Sequence, residues 1–131
     1  MELLTEEILS KFESHPIGSQ DGKGLDAEVL VKYFNPCGRG TWLVTEADRD
    51  GDDWRLFGYC RLFEWEWGYL MLSELQSIRL PFGMAIERDT CTHGRYVRDF
   101  LTQEVGSINS IFYFLHKAAE PFNCLEQDNL A

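Results

Sequence analysis

The stretch TWLVTEADRDGDDWRLFGYCRLFEWEWGYLML, residues 41–72, decides the fold of this chain. It contains three runs of β-branched, aromatic and aliphatic residues separated by short polar connections, which is typical of strands. Connections of this length are too short for the crossover that parallel strands require, so the stretch predicts an antiparallel meander. The predicted strands are Thr41–Glu46, Arg55–Phe63 and Trp67–Leu72, with a loop at Ala47–Asp53 and a tight connection at Glu64–Glu66.

The sequence before this stretch adds one strand and one helix. Glu28–Phe34 is rich in β-branched and aromatic residues, and the turn cluster Asn35–Gly40 joins it to the meander as a hairpin. A helix is predicted over Thr5–Glu13, because threonine is a good N-cap and apolar residues then recur at helical spacing. Residues 16–26 are rich in Gly, Ser and Asp and are predicted to form a loop.

The sequence after the meander becomes helical. Ser73 and Gln76 have the spacing of a capping box, which predicts a short helix through Ile78. A second helix is predicted over Tyr96–Glu104, and a third begins after Ser107. The third helix has one apolar stripe, formed by Ile108, Ile111, Phe112, Leu115 and Ala119.

Together these elements predict an α+β fold, with an antiparallel β-meander of four or five strands and flanking helices at the N- and C-terminal ends. The segment Phe82–Asp89 is expected to be extended. The length of 131 residues is that of one domain. This domain is predicted to span residues 1–131, with a β-rich core at residues 16–89 and a C-terminal helical extension at residues 90–131.

Charge and composition narrow the classes of function. Twelve basic and 22 acidic residues give a net charge of −10, which would repel nucleic acids and anionic membranes, so direct binding to either is not expected. No apolar run approaches the roughly 20 residues of a membrane span, and the acidic start predicts no export signal and a cytoplasmic protein. The acidic surface either serves solubility alone or meets a basic partner; the charge is compatible with both.

No pattern of catalytic, cofactor-binding or metal-binding residues stands out. The phosphate-binding, dinucleotide-binding and hydrolase motifs are missing from the sequence, so no cofactor is predicted. A Cys91–His93 nucleophile pair stays open as the basis of a small enzyme, although proximity in sequence is weak support for such a pair. The cysteines lack the local pairs of zinc sites, and we expect buried, reduced thiols at Cys37, Cys60, Cys91 and Cys124.

The densest acidic cluster lies in the predicted loop Ala47–Asp53. Its carboxylates are of the type that Ca²⁺ binds. In an EF-hand the glycine would come later and a glutamate would close the loop, whereas here Gly51 comes early and Tyr59 takes the closing position. A solvated hairpin loop is therefore favoured, with a metal-dependent hydrolase as the alternative. The four acidic residues are Asp48, Asp50, Asp52 and Asp53.

An aromatic and acidic run follows at Phe63–Tyr69. Four rings alternate there with Glu64, Glu66 and Gly68, so an extended strand would place all four rings on one face. Such rings stack on nucleic-acid bases when a basic track accompanies them, and the two glutamates oppose that use. The run therefore predicts either a part of the core or an interface with another protein.

Five short motifs occur in a specific order between residues 31 and 89. They are Val31-Lys32-Tyr33-Phe34-Asn35-Pro36, Thr41-Trp42-Leu43-Val44-Thr45-Glu46, Leu56-Phe57-Gly58-Tyr59, Gly68-Tyr69-Leu70-Met71-Leu72-Ser73-Glu74-Leu75 and Ile86-Glu87-Arg88-Asp89. Over residues 16–89 the chain resembles a bacterial family catalogued as a domain of unknown function, DUF2958. The resemblance implies the company of plasmids, prophages and conjugative elements, often beside antirestriction-type genes. It implies neither an activity nor catalytic residues.

The sequence thus predicts a non-enzymatic, acidic protein-binding module of a mobile genetic element. Its expected partner is a nucleic-acid-binding defence protein, such as a restriction or CRISPR nuclease, which it would inhibit. A small enzyme or metal-dependent hydrolase is one alternative, and a structural homodimer that pairs through a sheet edge is another. The residues predicted to bind the partner are Asp48, Asp50, Asp52, Asp53, Glu64, Trp65, Glu66 and Trp67.

Overall fold

The computed structural model describes residues 1–90 and 94–101, which form one five-stranded antiparallel sheet with helices. Helix α1 (Glu6–Ser14) precedes the sheet, helix α2 (Leu72–Ser77) follows its fourth strand, and residues 97–101 are also helical. The strands are β1 (Val31–Phe34), β2 (Thr41–Asp50), β3 (Asp53–Arg61), β4 (Trp65–Met71) and β5 (Glu87–Arg88). Their spatial order is β4-β3-β2-β1-β5. The predicted α+β meander with helices towards both ends is therefore confirmed.

Several elements begin or end away from their predicted positions. The strand predicted from Glu28 begins at Val31, and Glu28 lies outside it, in an isolated β-bridge with Tyr96. The connection after β3 lies at residues 62–64, two residues before its predicted position. Only Glu87–Arg88 is a strand within the segment predicted to be extended, which begins with a 3₁₀ turn at Pro81–Gly83.

The segment Ala47–Asp53 is not the loop that the sequence predicted. Residues 47–50 continue β2 and β3 begins at Asp53, so the turn contains only Gly51 and Asp52. Gly51 has a φ of +61°, which the first central residue of a type II′ hairpin turn requires. Continuous pairing with β3 therefore overrides the low β-propensity of aspartate.

A β-bulge in β2 brings two backbones unusually close together. The pairing of β2 with β3 shifts between Val44 and Glu46, so Thr45 is the extra residue. A Cβ atom on Gly58 of β3 would lie 2.0 Å from the carbonyl oxygen of Leu43. Glycine is therefore required at residue 58, because any side chain would displace the bulge.

Helices α1 and α2 pack on one face of the sheet, which we call the helix face. Thr5 caps α1, since its side-chain oxygen accepts a hydrogen bond from the backbone N–H of Ile8 at 3.2 Å. Phe12 is fully buried one turn later, with its ring centroid 5.4 Å from that of Trp54. The larger core lies here, and the sheet contributes Val31, Tyr33, Trp42, Val44 and Leu56 to it.

Helix α2 does not use the capping box that the sequence predicted. The backbone N–H of Met71 donates to the carboxylate of Glu74 at 3.0 Å, so Glu74 takes the part expected of Gln76. Ser73 donates through its backbone N–H and its hydroxyl to Asp53 of β3. A contact between distant parts of the chain thus replaces the local one.

The opposite face of the sheet, which we call the aromatic face, carries a smaller core. Residues 94–101 lie on it, and the backbone N–H of Val97 donates to the carbonyl of Ala27 at 2.9 Å. Val97 and Phe100 are buried there with Ala27 and Leu43. The helix predicted over Tyr96–Glu104 is therefore confirmed for residues 97–101.

Some predictions fall outside the described residues. They concern the end of that helix, the Cys91–His93 pair, Cys124, and the helix after Ser107 with its stripe of Ile108, Ile111, Phe112, Leu115 and Ala119.

Candidate protein-binding face

Five aromatic side chains of β3 and β4 form a continuous strip on the aromatic face. Because side chains alternate along a strand, the three rings of β4 lie on one side of the sheet. Tyr69 pairs with Phe57 and Trp67 pairs with Tyr59, so β3 adds two rings to the same side. We call these five residues the aromatic strip: Phe57, Tyr59, Trp65, Trp67 and Tyr69.

The rings of the aromatic strip contact one another along its length. The centroid of Tyr59 lies 5.1 Å from that of Trp65 and 4.8 Å from that of Trp67. The centroid of Phe57 lies 5.6 Å from that of Trp67, with an angle of 11° between the planes, and 4.9 Å from that of Tyr69. These separations fall within the range of about 4.5–7 Å that favours aromatic pairs, so each ring restrains its neighbours.

Part of the strip is open to solvent. Tyr69 is 63% exposed and Trp67 is 38% exposed, whereas Trp65 is half-buried beside the smaller core. Phe63 was expected to share this face, but it lies in the turn before β4 and is 81% exposed. A large exposed aromatic area on a folded domain is a common mark of an interaction site.

Two acids of the β2–β3 hairpin are held by contacts within the chain. The Asp48 carboxylate accepts a hydrogen bond from the backbone N–H of Ile17 at 3.1 Å, which ties the loop after α1 to β2. Asp50 forms an ion pair with Arg55 across the hairpin at 3.0 Å. Both carboxylates are thus engaged within the chain.

The other two acids of the hairpin differ from each other. The Asp53 carboxylate accepts hydrogen bonds from the backbone N–H groups of Trp54 and Ser73 and from the Ser73 hydroxyl. The Ser73 hydroxyl is the main cause that lowers the pKa of Asp53 below its usual 3.8. Asp52 is exposed and has no hydrogen bond or ion pair with the residues that the structure describes, so it is the acid most available to a partner.

Glu64 lies in the turn before β4, whereas Glu66 lies on the helix face of β4, because its side chain alternates with the rings of the strip. Both are exposed, and within residues 1–90 and 94–101 neither carboxylate has a hydrogen-bond or ion-pair partner. Glu66 lies opposite Cys60 of β3. Burial first, and Glu66 second, raise the pKa of the Cys60 thiol to about 12, so the thiol stays protonated at neutral pH. Cys37, expected to be buried, is an exposed free thiol.

A pocket opens beside the strip, where the loop of residues 20–24 passes the bulge of β2. Its cavity volume is about 360 Å³. Phe57 and Trp67 line it from the sheet, and Asp21 lines it from the loop. We call this cavity the loop pocket.

Buried polar side chains hold the loop beside the pocket. Glu46 is only 2% exposed, and its carboxylate accepts hydrogen bonds from the backbone N–H groups of Gly18 at 2.8 Å and Gln20 at 2.9 Å. The Gln20 amide donates to the carbonyls of Glu28 and Thr45, both at 2.8 Å. Sequence reasoning did not single out Glu46 or Gln20, because no local pattern distinguishes these residues from solvated ones.

Metal clusters and membrane-spanning helices are not found within residues 1–90 and 94–101. Among those residues, no group of three or more His, Cys, Asp or Glu side chains is arranged to hold a metal ion. None of the helices within residues 1–90 and 94–101 is long and apolar enough to cross a membrane.

One exposed aromatic residue was also missed by the sequence analysis. Phe82, in the turn between α2 and β5, is 99% exposed and has a φ of +61°. Nothing in the sequence signals that this ring lies outside the core.

Comparison with known families gives one match. A family model described as "Protein of unknown function (DUF2958)" matches residues 3–101. The match is longer than the resemblance over residues 16–89, since it includes α1 and the segment that crosses the aromatic face. Searches of the curated proteins and of the solved structures found no match.

Proposed function

Since the chain belongs to the DUF2958 family, whose description assigns no activity, we propose its function from the aromatic face: it binds another protein through the aromatic strip. The observation that carries this proposal is the exposure of Tyr69 and Trp67 within a series of contacting rings. These rings belong to β4, which lies at an edge of the sheet within the described residues.

Aromatic residues suit such an interface for energetic reasons. Tyrosine and tryptophan bury a large area with few rotatable bonds, and they are enriched among the residues that dominate binding energies. Contacts within the strip already restrain the rings, so binding costs less side-chain entropy. Phe63 and Leu62, 81% and 53% exposed, extend the apolar surface to the β3–β4 turn.

The charge of the protein favours a basic partner. Glu64, in the turn before β4, and Asp52 are exposed and lack partners among the described residues, and the whole chain carries −10. Glu66 is exposed on the opposite face of β4 and is a weaker candidate for contact with a partner on the strip. Opposite charges around an interface speed encounter and make binding sensitive to salt. Asp48 and Asp53 are weaker candidates for direct contact, because they hold the loop after α1 and the start of α2.

A finer form of the proposal names the partner class. The module is non-enzymatic and acts in the cytoplasm as the inhibitor of a nucleic-acid-binding defence nuclease, encoded by a mobile genetic element. Its acids would oppose basic side chains that otherwise hold phosphates. The net charge and the mobile-element context implied by the family resemblance support this form.

Capture from a bacterial lysate, followed by mass spectrometry at low and moderate salt, tests the proposal. We expect one protein to be enriched by the tagged chain and released as salt rises. Tyr69→Ser should abolish its capture, while Phe82→Ser, which removes another exposed ring from outside the strip, should leave capture unchanged. Equal capture by the wild-type chain and Tyr69→Ser would contradict the proposal.

Pairing between two copies is a second candidate, favoured by the position of β4. This strand has seven residues and, in the described part of the chain, no neighbour on its outer side. An unpaired edge is a template for strand addition. Sedimentation at two protein concentrations tests this candidate: a mass of twice 15.2 kDa supports it, and a monomer at both concentrations excludes it.

A further inference from the structure

We propose that the loop pocket receives an arginine side chain of the bound protein. The inference rests on the proposed function, because the arginine belongs to the protein that the aromatic strip binds. Three features support it: a buried charge, a tryptophan ring with no cation over it among the described residues, and the shape of the guanidinium group.

The first feature is Glu46, which is among the residues that line the pocket. It is 2% exposed and accepts two backbone hydrogen bonds, but no cation pairs with it among residues 1–90 and 94–101. A buried carboxylate without a counter-charge is costly, and a cation in the pocket would lower that cost. Asp21, exposed and lining the same pocket, adds a second negative charge. The pocket therefore favours a positively charged group.

The second feature is the ring of Trp67. Two other tryptophans of the sheet carry an arginine of this chain over the ring: Arg49 lies 4.8 Å from the centroid of Trp54, and Arg61 lies 5.8 Å from that of Trp65. Trp67 has no such cation among the described residues, and its ring borders the empty volume of the loop pocket. Tryptophan is the side chain that attracts cations most strongly through its face.

The third feature is the match between this setting and arginine rather than lysine. A guanidinium group is planar, so it can lie against Trp67 while its N–H groups point towards the carboxylates of Asp21 and Glu46. An ammonium group is a compact, strongly hydrated charge that gains less from an aromatic wall. The cavity volume of about 360 Å³ lies at the lower end of the usual range for ligand sites, roughly 300–1,000 Å³.

Titration of the full chain with N-acetyl-arginine amide, followed by NMR of the four tryptophan indole N–H groups, tests the inference directly. The expected result is a saturable shift of the Trp67 signal. Trp42 and Trp54 lie in the core of the helix face and should not move. The citrulline analogue has nearly the same shape without the charge, and it should bind at least about fivefold more weakly.

Two matched variants locate the charge that matters. Asp21→Asn should weaken binding of the arginine probe severalfold, because it removes a carboxylate from the pocket. Glu13→Gln removes the same charge from an exposed residue of α1 that does not line the pocket, and it should leave the dissociation constant unchanged.

Equal binding of the arginine and citrulline probes, or no shift of Trp67 up to tens of millimolar probe, would overturn the inference. So would equal effects of Asp21→Asn and Glu13→Gln. These outcomes are separate from failure of the proposed function. If Tyr69→Ser still abolishes capture of the partner, the proposed binding through the aromatic strip stands, even if the pocket does not bind arginine.

Discussion

The two faces of the sheet are built from the same alternating strands but have different surroundings. On the helix face, Tyr33 and Leu56 are fully buried under α1 and α2. On the aromatic face, Tyr69 and Trp67 contact other rings yet remain partly open to solvent. The apolar residues of a strand therefore do not show which face of the sheet holds the larger core. The position of the helices shows it. The exposed rings of the aromatic face are not explained by burial in a core, whereas binding of a partner protein would explain them.

The largest loss of stability should come from a cavity in the core of the helix face. Phe12→Ala removes a fully buried ring that packs on Trp54, and the loss should be about 3–5 kcal/mol of unfolding free energy. Urea denaturation measures this loss. A change below about 1 kcal/mol would show that α1 contributes little to the core and would break the comparison.

The next largest loss of stability should come from a side chain placed against the β-bulge of β2. Gly58→Ala places a Cβ atom 2.0 Å from the Leu43 carbonyl oxygen, and it should cost about 3 kcal/mol in urea denaturation. Gly68→Ala is the matched control, because Gly68 pairs directly with Gly58 and a Cβ atom there meets nothing within 4 Å. If the two variants were equally stable, the tight backbone approach at the bulge would be refuted.

A smaller effect is expected where Asp53 holds α2 to β3. Asp53→Asn weakens the hydrogen bonds from Ser73, and after allowance for solvent screening it should cost about 1 kcal/mol near pH 7. The pKa of Asp53 is lowered in the folded protein, so its contribution is present above the unfolded pKa and is lost as pH falls through the folded pKa. Denaturation curves at about pH 7 and about pH 2 should show the gap between wild type and variant closing in acid. A gap that widens in acid would contradict this role.

The smallest effect on stability should come from the aromatic face. Tyr69→Ser removes a ring that is 63% exposed, and the cost should stay below about 1 kcal/mol. The same substitution is expected to abolish partner capture, which separates binding from stability. A loss of several kcal/mol would mean that the ring belongs to the core and would remove the contrast between the faces.

Much of the fold could be predicted from sequence because it depends on local signals. Thr5 caps α1 as expected, and the alternation in β4 correctly places its three rings on one face. The hairpin at Ala47–Asp53 was wrongly predicted to be a loop, because aspartates disfavour strands and the pairing that overrides this preference is not local. The capping of α2 was wrong for a similar reason, since Ser73 is taken by the distant Asp53.

The candidate site could be predicted only in part. The rings of Trp65 and Trp67 were found from alternation within one strand, whereas Phe57 and Tyr59 required the register between β3 and β4. The same alternation of side chains along β3 would have placed Phe57 and Tyr59 on one face of the sheet. Glu46 could not be found, because its burial depends on the loop after α1 folding over the bulge.

The most direct test of the central claim is hydroxyl-radical footprinting of the chain, alone and in complex with its captured partner. Binding through the aromatic strip predicts that labelling of Tyr69 and Trp67 falls in the complex, while labelling of Phe82 stays the same. Unchanged labelling of Tyr69 and Trp67, together with protection of Phe82, would contradict the claim and place the binding surface elsewhere.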